Sequence, residues 1–123
     1  MAMDEFGMAD FQKECKLLSK LHSEYIVKFF GASTDTSDNC IVLEYLPLGS
    51  LDSVITKYKA EITPEYLKAV TVDIAKGMEY LHANNMVHRD LKPGNVLCSS
   101  LSPSAPVVCK YIKNILDCLN PYV

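Results

Sequence analysis

The sequence predicts an α+β fold. Two observations carry this reading. Apolar residues recur at helical spacing around 10–21 and 63–84, and two short β-rich runs, Tyr25 to Ala32 and Cys40 to Leu46, flank a polar stretch of turn formers from Ser33 to Asn39. At 123 residues, one folding unit is the expected ceiling. An apolar fraction of 49% with 22% charged residues is that of an ordinary globular chain and excludes a disordered or fibrous class.

In chain order, Phe11, Leu17, Leu18 and Leu21 line one face of a first helix with Asp10 as its expected cap. Glu14 falls on that same stripe, where a carboxylate needs a partner or a wet boundary. The two β-rich runs are expected to pair as an antiparallel hairpin. Pro47, Leu48 and Gly49 break the second run, and Ser50 is placed to cap a short helix through Leu51, Val54, Ile55 and Tyr58. Thr63-Pro64-Glu65 is a helix start with cap, proline at the first position and an acid in the first turn. Tyr66, Val70, Ile74, Met78 and Leu81 then step by four or three, predicting a long amphipathic helix ending near Asn84 and Asn85. Short apolar runs, Met86-Val87 and Val96 to Cys98, bracket a charged loop from His88 to Asn95. A serine- and proline-rich loop from Ser99 to Pro106 leads to a strand over Val107 to Lys110. The tail places Ile112, Ile115, Leu116 and Leu119 at helical spacing.

The net charge is −3 with no basic stripe, which argues against a nucleic-acid partner. Five cysteines, odd in number and never spaced C-x-x-C, suggest neither a disulfide framework nor a zinc site, and read as reduced thiols of an intracellular, cytoplasmic protein. No signal peptide and no apolar run of the roughly 20 residues that span a bilayer is visible.

His88-Arg89-Asp90-Leu91-Lys92-Pro93-Gly94-Asn95 fits the pattern H-R-D-L-x-x-x-N at every fixed position, after a long helix and between two apolar runs. On these residues the chain resembles the protein kinases. The resemblance implies a partial kinase-like fold: the regulatory helix and two strands of the small lobe, the hinge, and the first helices and catalytic loop of the large lobe. It divides the chain into 1–46, a small-lobe remnant ending in the hinge; 47–110, the start of the large lobe with the catalytic loop at 88–95; and 111–123, a divergent tail. ATP and magnesium are the implied cofactors, and a protein hydroxyl the implied acceptor. Phosphoryl transfer is mostly positioning and charge stabilisation, so one loop must bring a base to the acceptor and a ligand to the metal. By resemblance, Asp90 takes the hydroxyl proton, Asn95 holds magnesium, Lys92 neutralises the transferring phosphoryl group, and His88 and Arg89 support the loop. Glu14 matches the glutamate that pairs with the ATP-binding lysine. Leu43 corresponds to the gatekeeper, Glu44-Tyr45-Leu46 to the hinge that holds adenine through backbone groups, and Leu97 to the floor beneath the ring. Gly49-Ser50-Leu51 is common in the tyrosine-kinase-like group, while Lys92-Pro93-Gly94 is similar to serine/threonine kinases.

The pattern also departs from the family. No G-x-G-x-x-G precedes the first helix, Lys13 is too close to Glu14 to be the ATP-binding lysine, and Tyr111-Ile112-Lys113-Asn114 stands where D-F-G is expected. An internal fragment of a kinase domain is therefore expected, with activity of the chain alone in doubt. Exposed apolar surface on the long helix at Val70, Ile74, Met78 and Leu81 is expected to drive self-association. A catalytically inactive, kinase-derived interaction module is the alternative. The AT-rich codons of the tail fit translation past a missed splice or frameshift; a genuine short isoform is the competing account.

Overall fold

The computed structural model describes residues 5–33, 40–86 and 91–111. The elements run α1 (Glu5–Leu18), β1 (Phe29–Ser33), β2 (Cys40–Leu43), β3 (Gly49–Ser50), α2 (Leu51–Lys57), α3 (Pro64–Ala83), β4 (Val96–Cys98) and β5 (Cys109–Tyr111), with 3-10 turns at Lys59–Glu61 and Pro93–Asn95. This mixture of helices with antiparallel strands is the expected α+β class. Two compact units are present. One holds the described residues up to His22 and from Lys28 to Glu44; the other holds Ser23–Val27 and the described residues from Tyr45 onward.

In the first unit, α1 begins at Glu5, so Asp10 lies inside the helix and does not cap it. β1 and β2 form the expected antiparallel hairpin. Phe29 pairs with Leu43, the register slips, and Gly31 pairs with Val42, which leaves Phe30 as an exposed bulge residue beneath the Lys28 ammonium. The amide of Glu44 donates to the Lys28 carbonyl at 2.8 Å, and Glu44 Oε2 accepts from the Lys28 amide at 3.1 Å, closing the end of the hairpin.

The sequence extends the first strand back to Tyr25, whereas β1 starts at Phe29. The β-branched pair Ile26-Val27 is instead buried in the second unit. That docking depends on Gly77 of α3, because a Cβ there would lie 3.1 Å from the Tyr25 carbonyl oxygen and 3.5 Å from Ile26 Cδ1. Lys76 adds a hydrogen bond from its ammonium to the Tyr25 hydroxyl at 3.3 Å.

In the second unit, Thr63 caps α3 as its sequence predicts: its Oγ1 accepts from the Tyr66 amide at 3.1 Å, with Pro64 at the first helical position. The helix ends at Ala83, followed by Asn85 with φ 58°. Ser50 occupies the N-cap position of α2, but its hydroxyl donates to the Asp52 carboxylate, and Asp52 Oδ1 accepts the Ser53 amide at 2.9 Å. These bonds, the Ser50 hydroxyl first, hold the Asp52 carboxyl below its ordinary range.

β3, β4 and β5 form a three-stranded antiparallel sheet in that order, with Gly49 opposite Cys98 and Cys98 opposite Cys109. Gly49 has φ +75°, a left-handed conformation that suits glycine. α3 packs on β5. Val70, Met78 and Leu81 are consequently buried and Ile74 is half-buried, so the apolar stripe of α3 is not the open surface that the sequence reading expects. Exposed large apolar residues lie elsewhere, among them Phe30, Val42, Leu67 and Val72. Among the described residues no helix is long and apolar enough to cross a membrane. The predicted tail stripe at Ile112, Ile115, Leu116 and Leu119 lies outside the described residues.

Candidate nucleotide and metal site

The charged loop ends in a 3-10 turn whose geometry follows from its sequence. Pro93 fixes φ at the first turn position and Gly94 leaves room, so the Asn95 amide reaches back to donate to the Lys92 carbonyl at 2.9 Å. Val96 closes the turn by donating to the Pro93 carbonyl and opens β4. The turn sets Lys92 and Asn95 in contrasting environments. Lys92 is exposed, whereas Asn95 is 5% exposed, one of two buried polar side chains among the described residues. A buried carboxamide at the mouth of a strand is fixed in position and presents a hard oxygen of the type magnesium takes. No group of three or more His, Cys, Asp or Glu side chains gathers as a metal cluster among the described residues.

β4 carries Leu97 directly after this turn, half-buried and opposite both Ser50 and Lys110. The segment Leu46-Pro47-Leu48 is laid beside it. Leu46 is buried, its carbonyl accepts from the Gly49 amide at 3.1 Å, and the Leu48 amide donates to the Cys98 carbonyl at 3.2 Å. The second unit thus joins Leu46, Asn95 and Leu97 through one small sheet, with Lys92 tethered to it by the turn. Leu43 and Glu44 lie at the end of β2 in the first unit. His88, Arg89 and Asp90 lie outside the described residues. Glu14 lies within α1, on the C-terminal half of that helix, and its side chain is outside what the structure describes.

Sequence reasoning missed the other buried polar side chain, Asp73. This residue is 7% exposed, and its Oδ2 accepts from the Val108 amide at 2.7 Å and the Cys109 amide at 3.3 Å. The last strand begins at Cys109 and not at Val107 as its β-rich sequence suggests, and Asp73 holds the amides at its start. Asp73 follows Val70 by three residues and precedes Gly77 by four, so a carboxylate on the apolar stripe of α3 was the available signal.

Three further buried groups surround this anchor. Tyr66 is 0% exposed, and among the described residues its hydroxyl has no partner at good hydrogen-bond geometry, only the weak neighbouring Cys98 thiol. Burial first, then its Cys98 and Cys109 neighbours, raise the pKa of the Tyr66 phenol above its ordinary value. Burial likewise raises the Cys98 thiol and, with the nearby Asp73 carboxylate, pushes Cys109 up to about 12. The Cys109 thiol donates to the Val70 carbonyl at 3.6 Å. These are unreactive packing groups that tie the β4–β5 hairpin to α3, and through β4 they hold the position of Asn95.

A family model for protein tyrosine and serine/threonine kinase matches residues 2–112. Curated relatives include the serine/threonine-protein kinases STY17 and STY46 of Arabidopsis thaliana. STY17 is 38% identical over 90 residues, covering 73% of this chain and 16% of the relative. STY46 is 41% identical over 88 residues, covering 72% of this chain and 15% of the relative. The mitogen-activated protein kinase kinase kinase A of Dictyostelium discoideum is 38% identical over 87 residues, covering 71% and 9%. The chain thus spans about a sixth or less of the length of these relatives.

Proposed function

The chain belongs to the protein tyrosine and serine/threonine kinase family, and from that premise we propose that residues 88–97 form the catalytic and metal-side segment of a site that transfers the γ-phosphoryl group of ATP to a serine or threonine hydroxyl of a protein. The observation that carries this reading is the turn from Lys92 to Asn95, where one backbone bond joins an exposed ammonium to a buried carboxamide. In this reading Asp90 accepts the acceptor hydroxyl's proton, Lys92 offsets charge on the transferring group, and Asn95 supplies one oxygen to magnesium. Bound magnesium would supply charge neutralisation at the phosphate oxygens. In the first unit the Glu44 amide is already bonded to the Lys28 carbonyl, so its own carbonyl is the group read as meeting adenine; in the second unit Leu97 is read as the floor position. Residues 1–46 are read as the small-lobe remnant ending in the hinge and 47–110 as the start of the large lobe; the compact units divide after Glu44, with Ser23–Val27 in the second.

The test is a chimera in which residues 11–110 replace the matching segment of the Arabidopsis relative STY46. The chimera is expected to phosphorylate a generic protein substrate on serine or threonine, and Asp90→Asn should reduce the rate by about 10²-fold or more. A chimera that folds and binds nucleotide but transfers no phosphate would refute the catalytic reading and favour an inactive interaction module.

A further inference from the structure

The loop joining β4 to β5 is not used by the site described above. It carries Ser99, Ser100, Ser102 and Ser104 with Pro103 and Pro106, and the structure gives these serines different roles. The Ser99 hydroxyl donates to the Val107 carbonyl at 2.9 Å, and the Ser100 hydroxyl accepts the Ser102 amide at 3.0 Å; both residues are half-buried braces of the loop. Ser102 and Ser104 are exposed, and their hydroxyls share a hydrogen bond at 2.9 Å. Ser102 heads a β-turn closed by one backbone bond, from the Ala105 amide to the Ser102 carbonyl at 3.2 Å, with Pro103 following it.

We propose that Ser102 is a phosphorylation site for a separate, proline-directed serine/threonine kinase. A proline after the acceptor offers no backbone N–H and has a fixed φ, so it selects enzymes whose clefts hold the ring without that donor. The sequence has two hydroxyl-proline dipeptides, Thr63-Pro64 and Ser102-Pro103, and the fold separates them. Thr63 is the N-cap of a 20-residue helix, with its Oγ1 accepting the Tyr66 amide, so presenting it requires opening the start of α3. Presenting Ser102 requires opening only an exposed surface turn, whose bonds to Ser100, Ser104 and Ala105 all lie within the loop. In the reaction, the bond from the γ-phosphorus of ATP to its β–γ bridging oxygen breaks and a bond from phosphorus to Ser102 Oγ forms. ADP leaves with the electron pair, and the hydroxyl proton passes to the modifying enzyme's base.

The experiment incubates the intact chain with a purified proline-directed kinase and ATP and locates phosphate by mass spectrometry, subtracting a reaction without added kinase. Synthetic peptides covering 60–67 and 99–106 report the intrinsic rates of the two dipeptides. After normalisation to the peptides, phosphate on Ser102 of the folded chain should exceed that on Thr63 by ~10-fold or more, because releasing Thr63 opens the first turn of a helix whose Tyr66 is fully buried, whereas releasing Ser102 opens an exposed loop. Ser102→Ala should abolish the signal, and Ser104→Ala should leave it. Equal normalised rates at both positions would overturn the proposal. So would an unmodified Ser102 in the folded chain, or a 99–106 peptide that the enzyme does not accept.

Discussion

Tyr66→Phe should stabilise the protein. Tyr66 is fully buried, and among the described residues its hydroxyl meets no partner stronger than the Cys98 thiol. A buried polar group without a partner costs about 1–3 kcal/mol of desolvation, whereas the phenyl ring retains every apolar contact of the phenol. The neighbouring Cys98 and Cys109 thiols are weak hydrogen-bonding groups and offset little of that cost. A gain of about 1 kcal/mol is expected, which raises the Tm by roughly 4 °C for a chain of this size. Circular dichroism melts at pH 7, with urea unfolding as a second measure, give the sign and size. Tyr66→Leu serves as the packing control and should lose about 2–4 kcal/mol through the cavity it leaves. If Tyr66→Phe instead lowers stability by about 1 kcal/mol or more, the hydroxyl has a partner such as an ordered water, and the account of an orphaned group is wrong.

Two other outcomes follow from the same cluster. Asp73→Ala removes the acceptor for the Val108 and Cys109 amides, so unfolding should become easier by about 2–5 kcal/mol, with Asp73→Asn losing less because it keeps a carbonyl oxygen. Hydrogen exchange at those two amides checks the mechanism, and unchanged protection in Asp73→Ala would count against it. The second outcome concerns alkaline pH. The Cys109 thiol titrates near 9.0 when unconstrained and at about 12 in the fold, so the folded state retains a proton that the unfolded state releases. Its contribution to stability is complete below pH 9 and falls by about 1.4 kcal/mol per pH unit until the folded thiol itself titrates. Cys98 and Tyr66 shift in the same direction. Urea midpoints measured from pH 8 to pH 11 should therefore decline, and the decline should shrink in Cys109→Ala; a flat profile would show that these groups ionise freely in the fold.

What could be read from sequence divides by the range of the interaction responsible. The α3 start was legible because Thr63 and Tyr66 settle it within three residues. The loop from His88 to Asn95 was legible as a chemical pattern, and Pro93-Gly94 within it became a 3-10 turn. The role of Asp73 was not legible, because the amides it accepts lie 35 and 36 residues away. Ile26 and Val27 read as strand from their β-branched side chains, yet both are buried outside the ladder, with Ile26 docked beside Gly77, about 50 residues later, where tertiary packing overrides β-propensity. Asp10 resembles a cap in composition, but the helix continues through it toward Glu5, and helix ends are the least certain feature of any periodic pattern.

The short segment Ser23–Val27 gives the chain an interlaced connectivity. The polypeptide leaves the first unit after His22, enters the second for five residues, returns at Lys28, and departs again after Glu44. Neither unit is thus a contiguous stretch of chain. A protein trimmed to start at Tyr45 would keep α2, α3 and the small sheet but would strip Ile26 and Val27 from α3, baring the face that Gly77 keeps flat for them. Dissection of the second unit consequently has to begin no later than Ser23 and carry the β1–β2 hairpin as an insertion, or replace that hairpin by a short linker from Val27 to Tyr45.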